Sequence, residues 1–261
     1  MRYERTLSVL LGVAIVAVVV GGWKLYVEAA DISPFVLPPP EDVGRATWDL
    51  LGEGRMWGHL RVTLWEIVAG FGLATAFGVV TGAAIGEVRV VERALSPLLI
   101  ALQVLPKVAV VPLLILWLGF GPGAKIVIAA VFAFFPVTAG TRAGIRSVEP
   151  NHRDLARTLR ASRRQRLLHI DLPSALPSIL TGMEVGIVLA TVGAIVAEYL
   201  AGSEGLGWLA TSYLNQLQVD RLFGVIVVMS ALGLVLYGAV VGLRRLLVPW
   251  HQSSLTERPS A

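Results

Sequence analysis

This 261-residue chain has no cysteine, which removes disulfides, thiolate metal ligands and cysteine nucleophiles from consideration. Charge is almost as scarce. Only 15% of the residues are Asp, Glu, Lys or Arg, against about 25% in an average soluble domain. In contrast, 55% are hydrophobic and the mean hydropathy is +0.72. This deficit points to an integral membrane protein. Catalytic signatures are missing as well. The four histidines, His59, His152, His169 and His251, form no pair at metal-ligand spacing, and neither H-E-x-x-H nor G-x-S-x-G occurs. The lysines at 24, 107 and 125 are followed by Leu25, Val108 and Ile126, so no G-K-[ST] phosphate loop can exist. An enzyme is therefore not expected, and any ATP hydrolysis must belong to another chain.

What the chain does have is long uncharged runs. They cover 6–23, 67–86, 108–124, 126–141 and 222–243, and 185–203 is broken only by Glu198. Each is near or within the roughly 17–25 residues that cross a bilayer core as a helix. Residues 94–106 are also apolar and lead through Lys107 into the next run, so 94–119 reads as one long or broken helix interrupted at Pro106. The expected fold is an all-α integral membrane protein with six transmembrane helices.

The net charge of +4 does not call for nucleic acid, because the basic residues sit between apolar runs. With the N-terminus inside, the inner segments hold Arg2, Arg5, Arg89, Arg93, eight arginines between 142 and 166, Arg244, Arg245 and Arg258. The outer segments hold only Lys24, Arg45, Arg55, Arg61, Lys125 and Arg221. The positive-inside rule then places both termini in the cytoplasm. Arg2 and Arg5 ahead of an apolar run also have the form of a signal peptide, with Val27-Glu28-Ala29 as a loose cleavage site. That run is longer than an ordinary h-region, and cleavage would leave an odd number of spans.

Residues 28–56 form the expected extracytoplasmic loop. Within it DISPFVLPPPED (31–42) cannot be helical. The following VGRATWDLL places Val43, Ala46, Leu50 and Leu51 on one face, which suits a short amphipathic helix on the outer membrane surface or a docking surface for an external partner. The second span repeats a small residue every fourth position, Gly70, Ala74, Gly78, Gly82 and Gly86. Such a ridge serves close helix packing. Four ionisable residues fall inside spans: Glu66, Lys107, Glu184 and Glu198. Glu184 reads as a hydrated residue near the inner surface. Lys107 could meet an anionic solute, snorkel, or pair with a carboxylate such as Glu198.

The most polar stretch is DLARTLRASRRQRLLHIDLP, 154–173. Pro150-Asn151 marks a stop and an N-cap, with Asp154 favourable in the first turn. Ser162-Arg163-Arg164-Gln165 has the S-x-x-Q form of a capping box. Pro173 reads as the stop of a second helix, and with Pro177 as the start or a kink of the next span. The loop 150–173 becomes a helix–turn–helix elbow. Its arginines also suit anionic membrane lipid.

This segment resembles the cytoplasmic EAA loop of ABC-transporter permeases, E-A-A-x-x-x-G, nine residues, then I-x-L-P. Asp154, Leu155 and Ala156 stand at E-A-A, and Ile170-Asp171-Leu172-Pro173 stands at I-x-L-P. The phrases LPPPEDV (37–43), HLRVTLWEIVAGF (59–71), LPKVAVVPLLILWLGFG (105–121), LPSALPSILTGM (172–183) and AEYLAGSEGLGWL (197–209) are similar to the nitrate/sulfonate/taurine branch of binding-protein-dependent importer permeases. The resemblance implies a type I importer (MetI-like) fold, a bacterial inner-membrane location and a homodimer. It also implies two ATPase subunits carrying ATP and Mg, so that this chain holds no cofactor or metal, and an extracytoplasmic solute-binding protein. Asp154, Leu155, Ala156, Arg157, Thr158, Leu159, Arg160 and Ala161 would form the helix that couples to the ATPase. Asn151, Ser162, Gln165 and Pro173 would cap and end the loop, and Lys107 and Glu198 would belong to the translocation pathway. Arg160 stands where the family has a glycine in a left-handed turn; that conformation costs a non-glycine residue roughly 1–2 kcal/mol. Leu155 replaces the first alanine, and Asp154 shortens the acid. The implied solute is a small organic anion, with sulfonates ahead of nitrate, aromatic acids and thiamine-precursor pyrimidines. A secondary transporter would call for internal repeats and coupling carboxylates at the midplane, and a membrane enzyme for a catalytic pair.

Overall fold

A computed structural model describes residues 2–149, 151, 152, 154 and 158–249. The apolar runs are helices: α1 (Arg2–Ala29), α2 (Pro40–Gly52), α3 (Gly54–Glu87), α4 (Arg89–Val104), α5 (Lys107–Leu118) and α6 (Pro122–Arg146). They are followed by α7 (Arg163–Arg166), a π-turn (Leu167–Asp171), α8 (Leu172–Ala201), α9 (Leu206–Asn215) and α10 (Val219–Leu247). Among the described residues five helices are long and apolar enough to cross a membrane, and α4 with α5 makes a sixth if that pair is one span.

Of the two readings of 94–119, a long helix or a broken one, the α4–α5 pair has the broken form: the two helices meet at 97°. Pro106 supplies no N–H and pushes the residue before it out of the helical region; Leu105 accordingly has ψ 131°. No residue of α4 is buried in the chain.

The centre is α6 packed between α3 and α8. Lipid tails are as apolar as leucine, so helices associate in membranes through close van der Waals contact. The glycine ridge of α3 provides it. A methyl group added at Gly70 would fall 2.6 Å from Ala129 Cβ, and one at Gly82 would fall 2.6 Å from the Thr138 carbonyl. On the other flank of α6, Gly140 lies so close to α8 that an added methyl would meet the Ser178 carbonyl at 2.6 Å.

Helix α2 buries Val43, Ala46 and Leu50, three of the four residues expected on one face, while Leu51 is exposed at its edge. It buries them against α10, where Leu50 would be 2.9 Å from a methyl added at Gly224. The helix is therefore docked on protein and does not rest its apolar face on lipid. Helix α1 has every side chain from Leu10 to Gly22 exposed; it touches the body at one end, where Val27 is buried and the Trp23 and Phe223 rings lie 6.0 Å apart.

Candidate functional site

The arginine-rich elbow is built from local backbone rules. Asn151, His152, Asp154 and Thr158 are helical, and the Thr158 hydroxyl donates to the Asp154 carbonyl at 3.0 Å. Because Asn151 is itself helical, it does not stand as the N-cap. Leu155, Ala156 and Arg157 lie outside the described residues. Leu159 and Arg160 form the turn, and Arg160 has φ +53°, the left-handed conformation that glycine would occupy at no steric cost. The capping box is present in both directions: the Ser162 N–H donates to Gln165 Oε1 at 2.8 Å, and the Gln165 N–H donates to Ser162 Oγ at 3.2 Å. Leu159 is 71% exposed on the outside of the turn.

Pro173 does not stop the second helix. Helix α7 runs through the π-turn into α8, with the Leu172 N–H bonded to the Leu167 carbonyl. Pro173 does open the next span as expected, in one of the first two positions of α8, where its missing donor is least costly. The elbow thus continues directly into α8. Ion pairs, unseen in the sequence, fix it to the bundle. Arg166 Nε lies 3.0 Å from Asp171 Oδ2, a fully buried carboxylate, and the same guanidinium reaches Glu87 at the end of α3. Nearby, Glu92 of α4 holds Arg142 at 2.8 Å and also binds Arg146, both on α6.

Glu184 is neither free nor simply hydrated. It is buried and lies 3.2 Å from Arg244 Nε, tying α8 to α10. At the opposite edge Glu66 of α3 pairs with Lys125 of α6 at 3.0 Å. Lys125 also donates to the Glu204 carbonyl. Glu198, fully buried, accepts 2.6 Å bonds from Thr63 Oγ1 and from the Gly207 N–H. Thr63 Oγ1 accepts from the Leu206 N–H at 2.8 Å, and the Gly205 N–H donates to His59 Nδ1 at 3.1 Å. Glu198 is in this way the anchor of the 202–207 turn, and it makes no ion pair with Lys107.

Lys107 sits instead at the α4–α5 break, its ammonium 5.1 Å from the Phe135 ring centroid. It lines a cavity of about 490 Å³ between α3, α4, α5 and α6, whose other walls include Leu73, Phe77, Leu105, Leu114 and Phe135.

Apolar spans keyed together by small residues, with a capped, ion-paired elbow feeding α8, make a multi-span helical membrane protein. Residues 74–250 match the family described as binding-protein-dependent transport system inner membrane component, and the chain belongs to that family. It is 34% identical over 219 residues to the formylaminopyrimidine transport permease protein ThiX of Halalkalibacterium halodurans, covering 84% of this chain and 87% of that one. It is also 34% identical over 241 residues to the putative aliphatic sulfonates transport permease protein SsuC of Escherichia coli, covering 92% and 90%. Among solved structures, an inward-facing MetNI methionine ABC transporter superposes with a TM-score of 0.63 at 19% identity, covering 75% of this chain and 98% of its own. The fold is that of MetI-like permeases. The chain is a multi-pass inner-membrane permease that forms the path for a small solute delivered by a binding protein, and its role is transport, not catalysis.

Proposed function

We propose that this chain is the permease of an ATP-driven importer for a small organic anion of the sulfonate kind. Two copies form the path, and two ATPase subunits seat the 150–173 loop from the cytoplasm, where both termini also lie. The 28–56 segment faces the binding protein outside. The observation that carries the coupling is the rigid turn at Leu159–Arg160–Ser162, held in a left-handed backbone and a reciprocal capping box next to an exposed leucine. Domain closure in an ATPase can move packed helices only through a stiff connection, and this elbow runs without interruption into α8. An anionic solute is supported by Lys107 and by the sulfonate relative. A pyrimidine solute is a second reading, supported by the ThiX relative and by the apolar walls around Lys107.

The test is co-purification. A tagged chain expressed with its own operon partners should bring down an ATPase subunit. Replacing 154–161 by a Gly/Ser stretch should release that subunit while the chain keeps its thermal midpoint in detergent. If the ATPase association and uptake both survive the replacement, the coupling assignment is wrong.

A further inference from the structure

We propose that the cavity beside Lys107 is a solute subsite, selective for monovalent organic anions with a ring-sized apolar body. The inference rests on the reading that an anionic solute crosses through this chain, and it deepens that reading by naming the class.

Depth comes first. Lys107 opens α5 and Phe135 lies in the middle of α6. At 1.5 Å per residue, both are roughly 17–20 Å from the helix ends on the Lys125 side, close to the bilayer midplane. Charge comes second. The cations that tie the bundle together nearer its two faces have carboxylates: Lys125 has Glu66, Arg166 has Asp171, and Arg244 has Glu184. Among the described residues, Lys107 has no carboxylate within ion-pair distance; its ammonium faces the ring of Phe135. A cation at this depth without a counter-charge is costly and marks a pathway. The amino-terminal end of α5, which starts at Lys107, adds positive potential at the same place.

Shape comes third. Apart from Lys107, every residue lining the cavity is apolar, and four are phenylalanines, at 77, 132, 134 and 135. The volume of about 490 Å³ falls in the range of small-molecule sites. Such walls offer no hydrogen bonds to replace the hydration of a compact ion, so nitrate or a short zwitterion would enter at an uncompensated cost. A ring recovers its desolvation against the phenylalanines while its single charge meets Lys107. A lipid acyl chain would fit the walls but would leave the ammonium unpaired.

The experiment uses the full chain with its ATPase partner in lipid nanodiscs, titrated calorimetrically with benzenesulfonate, methanesulfonate and benzyl alcohol. Benzenesulfonate should bind more tightly than either of the others. Lys107→Met should weaken it by about tenfold or more, and Lys107→Arg should retain most of the affinity. Phe135→Ala should weaken benzenesulfonate and leave methanesulfonate unchanged. Equal binding of methanesulfonate, equal binding of benzyl alcohol (the sign of a lipid-filled cavity), or indifference to Lys107→Met would each overturn the proposal. The readouts also separate the two readings. ATPase association without benzenesulfonate binding removes the subsite alone. Benzenesulfonate binding in a chain that recruits no ATPase removes the importer reading and leaves the site.

Discussion

Lys125 Nζ lies 3.0 Å from Glu66 Oε1, with the two side chains 6% and 0% exposed. This pair fastens α3 to α6 at the edge opposite the elbow, and the same ammonium holds the Glu204 carbonyl. Breaking a buried pair leaves a charge with no partner, which costs on the order of 3–5 kcal/mol, whereas replacing both members by apolar groups is often neutral. Lys125→Met should therefore lower the thermal midpoint sharply, and Lys125→Met with Glu66→Leu should restore most of it. Equal loss in the single and double variants would show that the pair is not the fastening.

Arg160→Gly removes a side chain from a left-handed position with φ +53°. The relief is about 1–2 kcal/mol, offset in part by the greater freedom of glycine in the unfolded chain. ATPase association should be preserved or improved, as read by co-purification. Clear loss would mean that the Arg160 guanidinium makes a contact of its own with the ATPase.

Ser162→Ala removes one bond of the capping box and leaves the Gln165 amide without its acceptor. A lost cap costs about 1 kcal/mol. Hydrogen exchange at Gln165 and Arg166 should accelerate accordingly. Because Ser162 and Gln165 bond reciprocally, Ser162→Ala combined with Gln165→Ala should cost less than the sum of the two. Strict additivity would contradict a shared box.

Gly140→Val should prevent α6 from seating on α8, since even a methyl there would lie 2.6 Å from the Ser178 carbonyl and 2.9 Å from Gly182 Cα. Gly72→Ala, with no atom within 4 Å of the added methyl, should be nearly neutral. The check is the yield of monodisperse protein and its thermal midpoint. Parity between the two variants would remove the close crossing as a determinant of the fold.

The features legible in the sequence are those that local rules decide. The α2 face of Val43, Ala46 and Leu50 follows from helical spacing, the α3 ridge from its four-residue small repeat, and the Ser162–Gln165 box from its own four residues. Arg160 was legible as an anomaly because a glycine belongs at that place in the loop. What could not be read is what tertiary contact decides. Lys125 looks like a loop cation, since it lies three residues after a proline that opens a helix; only the α3–α6 crossing shows it facing Glu66. Glu184 and Arg244 are 60 residues apart, so Glu184 looked hydrated. Pro106 announced a break but not its 97° angle. Pro173 read as a stop because a π-turn, which lets the helix carry on through it, leaves no sequence signature of its own.

The account stands most directly on energy coupling through the elbow. The decisive measurement is solute uptake into proteoliposomes that hold this chain and its ATPase, with binding protein outside and ATP inside. The account predicts uptake that requires both ATP and binding protein and that disappears when 154–161 is replaced by a Gly/Ser stretch. Uptake driven by an ion gradient without ATP, or unchanged after that replacement, would contradict it.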